Sequence, residues 1–129
     1  MPRDPIPDDV RRFILASIPS VPFVEAMLIF MSRPGTSIET REIARRLYIR
    51  ESAAAEIVAQ LHAALIVEPA TPEPAAHRFA PASPALADML GRVAAHYSKD
   101  LIGVTDLIHS RASRKAQVFA DAFKLRRDS

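Results

Sequence analysis

Apolar positions along this chain fall into blocks at helical spacing, separated by breaks rich in proline. A first helix is expected from a cap at Asp8 or Asp9 to about Ile18, with Val10, Phe13, Ile14 and Leu15 on one face. Ile18, Pro19 and Ser20 interrupt it. Ser20 suits the cap of a second helix, and Pro22 is tolerated in its first turn. That helix runs to about Ser32. Phe23, Met27, Ile29, Phe30 and Met31 make it apolar nearly all round, which predicts burial at the domain centre. Arg33, Pro34 and Gly35 stop it, and Thr36, Ser37 and Ile38 suggest a short strand. A third helix capped by Thr40 carries Ile43, Ala44 and Leu47. A fourth, from Glu51 to about Ala64, carries Ala54, Ile57, Val58, Leu61 and Leu65 at the spacing of one buried face.

Beyond it, residues 65–68 read as a strand and 77–80 as its return, together a two-stranded wing. The connection 69–76 holds three prolines and no glycine, and so reads as a stiff loop. Ser83 followed by Pro84 opens a long helix. Leu86, Leu90, Val93, Tyr97, Leu101, Val104 and Ile108 recur along it at intervals of three and four. Unbroken, it spans roughly 35–40 Å at 1.5 Å per residue. Gly103 weakens it, and Ser98, Lys99 and Asp100 offer a break. A last short helix is expected over 116–124, with Phe119 and Phe123 on one side. The division expected is a winged domain with N-terminal helices at 1–82 and a helical extension for dimerisation at 83–129.

Two helices joined by a short turn, Tyr48-Ile49-Arg50, with an extended segment beyond, form the helix-turn-helix arrangement. It usually lays its second helix in the DNA major groove. From Glu42 to Val67 the sequence resembles the bacterial winged-helix transcriptional regulators, the broad class that includes MarR-like and PadR-like families. Glu42, Ile43, Ala44 and Leu47 take the first helix's positions. Ile57, Val58 and Leu61 take the second helix's core positions, and Ile66, Val67 and Phe79 take the wing strands. The match covers residues 36–80, about a third of the chain. It implies a mainly helical fold with a small β-wing, further helices at both ends, a homodimer and double-stranded DNA as partner.

The departures from that pattern are specific. Such regulators commonly place Gly where Tyr48 stands, Ser or Thr where Arg50 stands, and Gly before the wing strand where Leu65 stands. The expected outward positions of the second helix are Ser52, Ala53, Ala55, Glu56, Ala59 and Gln60. Residues 51–64 contain no Lys or Arg and two Glu. Base readout draws mainly on Arg, Lys, Asn and Gln, and phosphate neutralisation supplies most non-specific affinity.

Charge sharpens this picture. The formal net charge is only +2, at a sequence pI of about 9.4. Arg41, Arg45, Arg46 and Arg50 nevertheless cluster, and Arg111, Arg114, Lys115, Lys124, Arg126 and Arg127 load the C-terminus. Solvated helix faces and favourable charge at helix C-terminal ends account for such clusters equally well.

Two functional classes follow. In the first, the chain is a DNA-binding transcriptional regulator. Arg41, Arg45, Arg46, Arg50 and Arg78 reach phosphates while Ser52, Glu56 and Gln60 face the bases. A homodimer seam is then expected along Leu86, Leu90, Val93, Tyr97, Leu101, Val104 and Ile108. Packing of that stripe on the chain's own first helices is the plainer reading. In the second class, the winged helix has lost DNA binding and its small alanine-rich face receives a protein partner.

Other chemistry finds little support. The chain has no cysteine, which excludes disulfides, thiolate catalysis and Cys-ligated zinc. His62, His77, His96 and His109 share no ligand spacing. Gly35, Gly91 and Gly103 are isolated, so no phosphate-cradling loop is expected, and Ser17, Ser32 and Ser110 lack a nucleophile's setting. No enzyme, metal or cofactor is therefore expected. The longest apolar run, 21–31, falls short of the roughly 20 residues that span a bilayer. The acidic, proline-rich N-terminus does not read as a signal peptide. A cytoplasmic protein is expected.

Overall fold

The computed structural model describes residues 6–71 and 75–110. Its elements are α1 (Asp8–Ser17), α2 (Val21–Ser32), β1 (Ile38–Glu39), α3 (Thr40–Leu47), α4 (Glu51–Ala63), β2 (Val67–Thr71), β3 (Ala76–Phe79), α5 (Pro84–Lys99) and α6 (Leu101–Ser110). The helix expected over 116–124, the basic run beyond Arg111 and the wing tip at 72–74 lie outside the described residues.

Local chemistry explains most of these boundaries. The Ser20 hydroxyl accepts from the Phe23 amide at 3.3 Å, and that of Ser83 from the Leu86 amide at 3.1 Å. Each satisfies one of a helix's otherwise unpaired first donors. The expected caps at Asp8, Asp9 and Thr40 do not form. Pro7 precedes α1 and Glu39 precedes α3, neither with a side-chain cap. Asp8 and Asp9 instead occupy the first turn, where a carboxylate complements the helix dipole. Thr40 is already helical and buried, and its amide donates to the Ala75 carbonyl at 3.1 Å.

The long C-terminal helix is broken at Asp100, which departs from helical geometry at φ −138° and ψ 66°. Its carboxylate accepts from the Gly103 amide at 3.0 Å and so starts α6. A Cβ at position 103 would collide with that carboxyl group, which explains the glycine there. The apolar spacing runs through this break, so periodicity alone does not reveal it.

The wing is a three-stranded antiparallel sheet in the order β1-β3-β2, not a two-stranded hairpin. Ile38 pairs with His77 and Glu39 with Ala76. On the other side Val67 pairs with Phe79, Glu68 with Arg78 and Pro69 with His77. Pro69 thus belongs to a strand rather than a loop. It is accommodated because β2 is an edge strand, where a missing amide donor does no harm.

α2 is the central helix: Phe23, Val24, Ala26, Met27 and Phe30 are buried, while Ile29 and Met31 are partly so. One core joins Val10 and Ile14 of α1 to Ile43, Leu61 and Ile66, and to Leu90, Val93, Val104 and Ile108 of α5 and α6. It therefore runs across the expected division at 82/83. Among the described residues no single helix is long and apolar enough to cross a membrane, and α1 and α2 meet at a bend of 108°.

Candidate nucleic-acid interface

α3 and α4 pack through Ile43 and Ala44 on one side and Ala54, Ile57, Val58 and Leu61 on the other, all buried. The turn between them is closed by the Tyr48 residue in the left-handed region, at φ 56° and ψ 43°. The Ile49 amide donates to the Ala44 carbonyl at 3.0 Å, and the Arg50 carbonyl accepts from Ala54 at 3.0 Å as α4 begins. At its other end α4 leaves through Leu65, also left-handed at φ 65°. The Ile66 amide then donates to the Leu61 carbonyl at 3.0 Å, which directs the chain into β2. Both left-handed positions are those at which the resembled regulators commonly carry glycine.

This packing turns Ser52, Ala55, Glu56, Ala59 and Gln60 to solvent, with Ala53 half-buried. The outward face of α4 is thus small, polar and without Lys or Arg. The cations lie around it. Arg41 pairs with Glu39, and Arg46 lies 3.7 Å from Glu42, which also holds Arg33 at 3.0 Å. On the wing, Arg78 pairs with Glu68 across β2 and β3 at 2.7 Å. Arg45 and Arg50 are exposed and have no ion-pair partner among the described residues. Exposed ion pairs contribute only about 0–1 kcal/mol, so a phosphate can recruit Arg41, Arg46 and Arg78 away from their carboxylates.

Behind the turn an open depression is bounded by Leu28 and Ile29 of α2, Leu47 and Tyr48, and Tyr97 of α5. The Tyr97 hydroxyl lies 3.4 Å from a Glu25 carboxylate oxygen. Burial and then the Glu25 charge hold the Tyr97 phenol above its usual pKa. The expected seam residues are largely engaged within the chain. Leu90, Val93, Val104 and Ile108 are fully buried, Leu86 and Tyr97 are partly buried, and only Leu101 is exposed. Its neighbour Ile102 is exposed too, at 61%.

Sequence spacing missed one pair. His62 near the end of α4 and His77 on β3 meet edge to face, with ring centroids 6.0 Å apart. His77 Nδ1 is buried with no hydrogen-bond partner among the described residues. Desolvation, and then the neighbouring His62, lower the His77 pKa. Fifteen residues of sequence separate the pair, and the folding of the wing against α4 alone brings them together. Among the described residues no group of three or more His, Asp or Glu could hold a metal ion.

No family model matches the sequence. No curated protein matches it either. Solved structures do. The multiple antibiotic-resistance repressor MarR from Listeria monocytogenes superposes with a TM-score of 0.51 at 18% identity, covering 92% of this chain and 82% of that one. The protein RV1404 from Mycobacterium tuberculosis does so with a TM-score of 0.51 at 15% identity, covering 90% and 83%. A possible transcriptional regulator from Methanosarcina mazei shares 16% identity over 88% of this chain and 86% of its own, at a TM-score of 0.48. The architecture is therefore a winged helix flanked by helices at both ends, of MarR-like fold.

Proposed function

We propose that the chain is a DNA-binding transcriptional regulator, acting as a homodimer and not as an enzyme. The observation that carries this reading is the pair Arg45 and Arg50 at the entrance to α4, two exposed guanidiniums with no ion pair among the described residues. In a helix-turn-helix the N-terminal end of the second helix approaches the bases while the first helix crosses the backbone. Arg45, in the last turn of α3, and Arg50, at the cap of α4, then stand at the end of the motif that meets backbone phosphates. The repressor from Listeria supports a regulatory role by likeness of fold.

Specificity on this reading is modest at α4. Glu56 can accept from a cytosine amino group and Gln60 can pair with adenine. Affinity rests on the surrounding arginines. The adjacent exposed residues Leu101 and Ile102 of α6 supply the apolar surface for a second copy. The absence of Lys and Arg from α4 favours a second reading, a winged helix that docks a protein partner on its alanine face.

Fluorescence anisotropy on duplex DNA across a salt series tests the proposal. A regulator of this design binds at low salt and loses affinity steeply as salt rises. No binding at low salt removes the first reading in favour of the second.

A further inference from the structure

Tyr48 occupies a conformation that suits glycine, at φ 56°. Crowding of Cβ against the backbone disfavours every other residue there, a bulky one most of all. Its side chain returns little packing to the fold, since it is 95% exposed. Strained residues persist where their surroundings over-determine them, and they gather at functional sites. Leu65 is similar in backbone, at φ 65°, and is 59% exposed. It has no polar tip, however, and no Lys or Arg stands between Glu51 and His77.

The setting of Tyr48 differs. Arg45 and Arg46 precede it and Arg50 follows it, all three exposed. It stands two residues ahead of Arg50, the residue from which α4 starts. The N-terminal end of a recognition helix enters the major groove, so a residue just before it lies at the groove's lip, beside the phosphates. Tyrosine is among the side chains that donate to phosphate oxygens.

We infer that Tyr48 is a binding residue of the duplex interface, its phenol donating a hydrogen bond to a backbone phosphate between Arg45 and Arg50. This rests on the DNA-binding reading. The strain in the turn is retained for that hydrogen bond, which is indifferent to base sequence.

Anisotropy on two unrelated duplexes at low salt, together with thermal melts, tests it with Tyr48→Phe, Tyr48→Gly and Leu65→Gly. Tyr48→Phe and Tyr48→Gly each weaken binding about tenfold on both duplexes, the size of one hydrogen bond to a charged group. Tyr48→Gly melts no lower than the parent, because glycine relieves the strain. Leu65→Gly relieves the same strain at the far end of α4 and leaves affinity unchanged. Parental affinity in Tyr48→Phe overturns the inference and leaves the DNA-binding reading standing. Failure of the parent to bind either duplex overturns both.

Discussion

Two serines set where the central helix and the longest helix begin. Ser20 and Ser83 each accept a hydrogen bond from the amide three residues on, and each has a proline in the turn that follows. Ser20→Ala is expected to cost about 1 kcal/mol and to lower the melting temperature by about 4 °C, read by thermal denaturation. An unchanged melting temperature would mean that the packing of α2 alone holds its start. Both caps were legible in the sequence because the cap and its proline are neighbours. The left-handed backbone at Tyr48 and Leu65 was not, since neither residue type signals it. Only the resemblance, with glycine at both positions, pointed there. Asp8, Asp9 and Thr40 misled because helix-start residues also serve in the first turn.

At the scale of elements, α3 and α4 were readable because each buries one stripe at helical spacing. The break at Asp100 was marked by the polar run Ser98-Lys99-Asp100 and by Gly103, although the apolar spacing continues through it; a carboxylate and a glycine three residues apart make it. β1 is two residues long, too short to carry any period, and its place in the sheet is settled by pairing with β3. The joint between α4 and the wing has a pH dependence of predictable sign. His77 binds a proton less readily in the folded chain than in the unfolded one. Its contribution to stability is therefore fully present above the unfolded value, about 6.5, and is lost as pH falls through and below it. A histidine NMR titration should show His77 with a midpoint below that value, and His77→Phe should flatten the fall in stability between pH 7 and pH 6. A His77 midpoint at or above the usual value would contradict the desolvation of its half-buried ring.

Over the whole molecule, the apolar stripe of the C-terminal helices divides between two uses. Leu90, Val93, Val104 and Ile108 complete the core around α2, while Leu101 and Ile102 remain at the surface. The sequence showed a surplus of apolar residues but not how it divides, because that depends on the turn at Asp100. If α6 meets a second copy through this pair, Leu101→Asp combined with Ile102→Asp converts a dimer into a folded monomer, as read by light scattering and circular dichroism. A parent protein already monomeric at high concentration removes the homodimer from the account. Arg45 and Arg50 flank a helix face that bears Glu56 and no Lys or Arg, so on the DNA-binding reading the dependence of duplex affinity on salt reports these two arginines directly. If both arginines neutralise phosphates, binding is tight at low salt, and the slope of log affinity against log salt flattens by roughly 2 when both become alanine, about 0.9 for each phosphate no longer neutralised. Binding whose salt slope is identical in the parent and the Arg45→Ala, Arg50→Ala variant would contradict that role.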